Sequence, residues 1–364
     1  MAGGASVTTD ASPWRHAGAR TDAEALAFFD RCLDAFEQAR ARAGDVRSHY
    51  RLAGAPLTLS FAGRSLVGDL TSALRHLETT ATGDGGLTIG IWDGSSSERV
   101  PPAPAFTDRA SRGNTELLQY SEGRILAAFD SWLGMLSVLD VERNLALFWL
   151  RDASHVPITL VGTPFRIILQ WWASALDGQL IHAAAVGTES GAVVISGPSG
   201  AGKSTTALAA LEAGLLYLGD DFVLAQPGSP PRVFSLYNSA KVDDATLETR
   251  LPALRDAVHA RPRLATEKEV LFTQARWPRQ LRADLPLRAI LMPSVTGGPE
   301  SRLVPRGAAD ALRSLLPGIF PFPGQRQEAV TRLARLARQV PVYRFELGHD
   351  SRGVAETLRR FLEP

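Results

Sequence analysis

Ala192-Val193-Val194-Ile195-Ser196-Gly197-Pro198-Ser199-Gly200-Ala201-Gly202-Lys203-Ser204-Thr205 decides how this chain is read. The apolar run predicts a buried strand, and the stretch from Thr205 to Leu211 predicts a helix. Between them lies a complete Gly-x-x-x-x-Gly-Lys-Ser loop, in the strand–loop–helix setting that gives this P-loop pattern (the Walker A motif) its meaning. Its glycines let successive backbone N–H groups turn toward phosphate oxygens, and the helix N-terminus adds a favourable dipole. Lys203 suits the β- and γ-phosphates, and the Ser204 hydroxyl suits Mg²⁺. The competing reading, a glycine-rich turn with no ligand, requires the whole pattern to arise by chance. The expected nucleotide-binding set is Gly197, Pro198, Ser199, Gly200, Ala201, Gly202, Lys203, Ser204 and Thr205. The expected ligands are ATP, or another nucleoside triphosphate, and Mg²⁺.

The rest of the composition narrows the class. A chain of 364 residues has room for one large or two ordinary domains. Its 45% hydrophobic and 21% charged residues are ordinary for a globular protein. The formal net charge of +1 supplies no field for nucleic acid or an anionic membrane. One cysteine, Cys32, excludes an intrachain disulfide framework and a cysteine-rich zinc site, and fits a reducing, cytoplasmic setting. Cys32 falls in an apolar helical stripe, so a buried thiol is expected. No run approaches the length needed to cross a bilayer. Of 39 basic side chains only Lys203, Lys241 and Lys268 are lysine. In such an arginine-rich chain, a lysine marks a place where a compact ammonium is chemically useful. The plainer reading of Lys241 and Lys268 is ordinary surface residues.

Residues 1–20 read as a flexible tail, 21–160 as an α+β lobe suited to substrate recognition, and 161–364 as the phosphate-loop domain. Thr21-Asp22-Ala23-Glu24 is a capping-box pattern opening a helix to about Ala43. Strands are expected at Leu57–Phe61 and Leu87–Trp92, with a helical run from Leu66 to Leu77 between them. Ser95 to Gly113 reads as a loop, and Ile125 to Leu150 as a β-meander. Thr163-Pro164 is expected to start a helix that Gly178 stops. Strands are then expected at Leu180–Val186, Leu215–Ala225, Arg232–Leu236, Val270–Thr273, Ala289–Met292, Leu303–Pro305 and Val342–Leu347. Helices are expected at Ala308–Leu315, Gln327–Arg338 and Gly353–Phe361, and surface loops at Thr296–Arg302 and Pro317–Gly324. The fold class is α/β, preceded by a mixed α+β lobe.

Three residues point to a reaction. Asp220 and Asp221 end the apolar run Leu215-Leu216-Tyr217-Leu218-Gly219, and His182 lies in the expected strand before the loop strand. If neighbouring strands bring them to the loop's edge, one carboxylate can hold Mg²⁺ and the other can take a proton from an attacking hydroxyl. An imidazole there can donate a hydrogen bond or position the transferring group. The plainer readings are a turn-capping Asp pair and a satisfied core histidine.

Leu180-Ile181-His182, the loop Gly197 to Ser204, and Tyr217-Leu218-Gly219-Asp220-Asp221 together resemble the catalytic domain of the HPr serine kinase/phosphorylase family. His182 precedes Lys203 by 21 positions and Asp221 follows it by 18, as in that family's pattern. The resemblance implies a P-loop kinase related in fold to phosphoenolpyruvate carboxykinase, phosphorylating a serine hydroxyl with a nucleotide and Mg²⁺. Carried over, His182 and Lys203 are active-site residues, Ser204 is a metal ligand, Asp221 is the base and Asp220 lies on the metal side. Sequence alone leaves the two Asp roles interchangeable. Thr205 stands where the family has glutamate, and Val233–Val242 replaces its glycine-rich signature. These departures leave the reverse phosphorylase reaction and carrier-protein recognition open. The layout looks closer to stand-alone kinases that modify ribosomally made peptides, lasso-peptide precursors among them. A serine-bearing peptide or small protein is then the expected partner, and homo-oligomerisation is left open. A small-molecule hydroxyl kinase, an HPr-type protein serine kinase and a non-catalytic nucleotide-dependent switch are the alternatives.

Overall fold

The computed structural model describes residues 21–363 apart from 82, 84, 103–107, 113–114, 121–122, 131–132, 250, 261–267 and 319–325. For 108–112, 115–120, 260 and 326 it describes the backbone only. The expected tail therefore lies outside the described residues, as does most of Pro317–Gly324.

The first helix, Asp22–Ala43, opens with the anticipated capping box. The Glu24 backbone N–H donates to Thr21 Oγ1 at 3.2 Å, and the Thr21 N–H to Glu24 Oε2 at 2.7 Å. Its apolar stripe of Phe28, Phe29, Cys32 and Phe36 is buried, and burial pushes the Cys32 thiol far up. That stripe covers one face of an eight-stranded sheet. Its order is Asp45–Leu52, Ala55–Ala62, Leu87–Asp93, Leu145–Leu150, Met135–Asp140, Ile125–Asp130, Thr115–Tyr120, Asp108–Arg112. Ala55–Ala62 and Leu87–Asp93 pair in parallel. Their connection therefore crosses over, through Val67–Thr71 and Ser72–Leu77. The last three strands of the expected meander form as read. Two readings need correction. Asp45–Leu52 is an unanticipated strand, and Asp108–Arg112 is a strand inside the stretch read as a loop.

A second, nine-stranded sheet carries the phosphate loop. The loop strand Gly191–Ser196 pairs in parallel with Asp284–Val295, which pairs in parallel with Val342–Leu347. Ala192, Val193, Val194 and Ile195 are wholly buried, as a strand covered on both faces requires. Ala308–Leu315 and Val342–Leu347 form within the bounds read from sequence.

Two strands expected to be continuous are each broken. Leu180–Val186 divides at His182 into Gln179–Ile181 and Ala183–Thr188. Leu215–Ala225 divides at Asp220–Phe222 into Leu216–Gly219 and Val223–Gln226. The breaks are in step: Ala183–Thr188 pairs with Leu216–Gly219, and Gln179–Ile181 with Val223–Gln226. Each chain changes neighbours at the break, which releases two segments of backbone from ladder hydrogen bonds at the same place. Asp221 takes φ of 70° there.

Thr163 is not a helix N-cap. Its hydroxyl donates back to the Thr159 carbonyl at 2.8 Å, ending the short helix Ile158–Gly162. The next helix, Arg166–Trp172, starts after Phe165 with no side-chain cap. Trp171 and Trp172 are buried in an apolar cluster that runs from Leu57, Leu59 and Phe148 of the first sheet to Leu224 of the second and to Leu236 and Tyr237 in the segment after its strand Arg232–Phe234. Asn238 ties the same junction, donating through Nδ2 to the Ser72 carbonyl at 2.9 Å. Among the described residues no helix is long and apolar enough to cross a membrane.

Candidate active site

The loop strand ends at Ser196, and the helix Lys203–Glu212 begins after Gly202. Gly200 and Gly202 take φ of 81° and 100°, which turns the backbone between them. No side chain caps this helix, so its first N–H groups are left to a ligand. Lys203 is buried at 7% exposure and its ammonium folds back, donating to the carbonyls of Gly197 at 2.8 Å and Pro198 at 3.1 Å. Burial pushes its pKa down, and Asp220 and Asp221 oppose that shift.

The paired carboxylates have different surroundings. Asp220 is fully buried. Its Oδ2 accepts the Lys241 backbone N–H at 3.2 Å, while Oδ1 has no hydrogen-bond partner. Burial, then the charge of Asp221, raise its pKa; the nearby Ser204 hydroxyl and the backbone N–H groups act the other way. Asp221 keeps 15% side-chain exposure. Burial alone would raise its pKa, but Lys241, His182 and Arg166 outweigh burial and hold it below the usual carboxylate value. Lys241 Nζ donates to its Oδ2 at 2.6 Å. Its Oδ1 lies 3.4 Å from His182 Nε2.

His182 stands on the strand break with its ring against Phe222, centroids 5.1 Å apart. Burial lowers its pKa and favours the neutral ring, with the neighbouring Asp221 carboxylate acting the other way. The Arg166 guanidinium lies 5.0 Å over the other partner of that stack, the Phe222 ring.

These groups enclose a cavity of about 600 Å³. It is lined by His182, Lys203, Ser204, Thr205, Asp220 and Asp221, together with Ser199, Gly200 and Gly202 of the loop. Gly197 and Pro198 contribute through the carbonyls that hold Lys203. A smaller cavity, about 220 Å³, lies across Gly200, Gly202 and Thr205, with Val295, Leu347 and His349 in its wall.

Sequence reasoning missed Arg166, Phe222, Asp243, Thr246 and the segment Leu316–Gly318, which also line the larger cavity. Pro317 and Gly318, read as the start of a surface loop, instead pack on the site, with Gly318 against His182. The scarcity of lysine was a usable signal. All three lysines of the chain line this one cavity. Lys241 is half-buried and paired with Asp221, so the plainer surface reading fails for it, whereas Lys268 is exposed as that reading has it.

The residues fit a nucleoside triphosphate and Mg²⁺. The partnerless Asp220 Oδ1 beside Ser204 is a costly atom to bury, and a cation would satisfy it. Among the described residues no group of three or more His, Cys, Asp or Glu is placed to hold a metal unaided. Mg²⁺ commonly takes only one or two protein oxygens and completes its shell with phosphates and water.

No protein-family model matches the chain, and no curated protein matches it. Among solved structures, the HPr(Ser) kinase/phosphatase from Coxiella burnetii matches at 13% identity and a TM-score of 0.29, covering 50% of this chain and 95% of that one. A likeness at that level does not establish a shared activity.

Proposed function

We propose that this protein is a Mg²⁺-dependent nucleoside triphosphate phosphotransferase acting on a serine hydroxyl. The observation that carries the reading is one cavity holding an uncapped phosphate loop, a buried carboxylate with a partnerless oxygen, and a second carboxylate kept ionised.

Ser204 and Asp220 would hold the metal, which supplies charge neutralisation at the phosphates when bound. Lys203 exchanges the Gly197 and Pro198 carbonyls for phosphate oxygens. Asp221 accepts the proton of the acceptor hydroxyl on Oδ1, while Lys241 keeps Oδ2 occupied and fixes the carboxylate's orientation. The new bond is acceptor oxygen to phosphorus, and the bond lost is phosphorus to the bridging oxygen of the leaving nucleoside diphosphate. His182 and the charged Arg166 border the same space as donors to the group in transit. Such a site works by placement and charge, because a loose phosphoryl transition state needs little covalent help.

The acceptor we favour is a serine in a ribosomally made precursor peptide of the lasso-peptide type, a reading resting on the sequence layout around His182 and Asp221. Incubation with γ-labelled ATP, Mg²⁺ and serine-bearing peptides tests it, with mass spectrometry locating the phosphate. Label on a serine supports the reading. Label on a small molecule alone makes the protein a small-molecule kinase, and slow release of free phosphate with no acceptor makes it a switch.

A further inference from the structure

A separate cavity of about 330 Å³ opens where the two sheets meet. Six apolar side chains line it, Leu133, Met135, Phe148, Leu160, Phe165 and Ile167, with Ser137, Thr159 and Thr163 between them and Arg166 and Lys241 at one end. Phe148 and Phe165 brace one another edge to face, centroids 5.2 Å apart at 88°. Met135 and Phe148 come from the first sheet, Leu133 from the turn before Met135–Asp140, Leu160 from the helix Ile158–Gly162, and Ile167 from the helix that starts at Arg166. Lobe and loop domain therefore build it jointly.

Two residues are shared between this cavity and the catalytic one: Arg166 and Lys241. Lys241 Nζ is itself 2.6 Å from Asp221 Oδ2. The apolar cavity thus ends one side chain away from the carboxylate that faces the acceptor hydroxyl. Its volume suits one or two hydrocarbon side chains, and a pocket whose larger side chains are apolar, with a few hydroxyls among them, selects its occupant by shape and apolar surface. The catalytic cavity has the opposite character, lined by lysines, carboxylates and hydroxyls.

We propose that this junction cavity is the acceptor's specificity pocket. It receives a large apolar side chain, of the leucine or phenylalanine kind, lying within two residues of the phosphorylated serine. The inference rests on the kinase reading and adds to it what the acceptor must carry beside its hydroxyl. Met135 and Leu133 are only partly buried, so they form the accessible side of the pocket. Neither touches the carboxylates, which makes them determinants of choice and not of chemistry.

The test is a library of serine peptides in which each position within two residues of the serine is set to Leu, Phe, Asp or Lys. It is scored with the full-length chain and with Met135→Trp, which fills the pocket. The wild type is expected to favour Leu or Phe at one position by about tenfold or more in kcat/KM. Met135→Trp is expected to erase that preference while leaving transfer to polar-flanked peptides unchanged. Leu133→Trp serves as a second filling variant, and matching melting temperatures confirm that each variant folds. Fluorescence anisotropy with a labelled Ser→Ala copy of the best peptide reads binding without turnover, and should weaken by the same factor in both variants. Peptides phosphorylated with no apolar preference, or a preference that survives both variants, overturn the pocket and leave the kinase standing. If no peptide accepts phosphate, the peptide-kinase reading falls and takes the pocket with it.

Discussion

Gly318 lies directly against His182. A Cβ at position 318 would stand 2.6 Å from the His182 Cβ and 3.0 Å from its backbone nitrogen. Neither atom is the end of a flexible side chain, so one segment must move. Gly318→Ala should therefore displace the imidazole by a fraction of an ångström to an ångström. The expected result is a fall in kcat of up to about 10²-fold with nucleotide affinity retained. Single-turnover kinetics beside nucleotide titration separates the two. Full activity would mean that His182 does not position the reacting group.

Asp221→Asn should keep nucleotide binding and lose about 10²–10⁴ in rate. Asparagine tolerates the φ of 70° at this position, so the change is nearly pure in charge. Asp221→Ala adds backbone strain of about 1 kcal/mol, which a denaturant melt beside Asp221→Asn would read.

Lys241→Met tests what keeps that carboxylate ionised. Lys241, His182 and Arg166 together outweigh burial in setting its low pKa. With Lys241 gone, burial gains and the pKa rises. Because the base works only when ionised, the acid limb of the kcat/KM–pH profile should move to higher pH. The stability sign agrees: a depressed folded pKa stabilises above the unfolded value, and that gain fades as pH falls through the folded one. An acid limb that stays in place would show that another group governs it.

Asp220→Asn should stabilise the metal-free protein and remove its response to Mg²⁺. Its folded pKa is raised, so the stability it contributes is present below the unfolded pKa and lost as pH rises through the folded one. Thermal melts should show the variant ahead of wild type near pH 8, with the difference closing toward pH 3. Addition of Mg²⁺ with nucleotide should raise the wild-type melting temperature alone.

Gly202→Ala should damage the loop. It meets a φ of 100° and would put a Cβ 2.9 Å from Leu347 Cδ1. The αL conformation costs an L-residue about 1–2 kcal/mol before any clash. Nucleotide affinity, read by calorimetry, should drop sharply.

The parts of the site legible in sequence are those whose signal is local. The phosphate loop carries its own strand and helix, and Val342–Leu347 announces itself by composition. Asp45–Leu52 did not, because this strand exposes Asp45, Arg47 and Arg51 and offers Val46, Tyr50 and Leu52 as its only large apolar residues. The strand breaks at His182 and Asp220 were hidden for another reason. Apolar residues resume directly after His182 and after Asp221, so the polar residues read as interruptions within one strand, and only pairing partners elsewhere in the chain divide each in two. Lys241 and Arg166 reach Asp221 across 20 and 55 positions, which no motif spans. Rarity of lysine hinted at the first, and nothing marked the arginine among so many others.

Trp171, Trp172 and Tyr237 share one interior with Leu57, Leu59 and Phe148. Each half also keeps an apolar cluster of its own, around Phe29 and Trp92 in the first and around Val193 and Leu208 in the second. The shared interior couples them, so heating should give a single calorimetric endotherm. A fragment cut before the phosphate-loop half would expose indole and phenol faces to water. Swapping the amino-terminal half for a foreign one would thus demand a matching set of hydrocarbon surfaces, not merely a compatible linker.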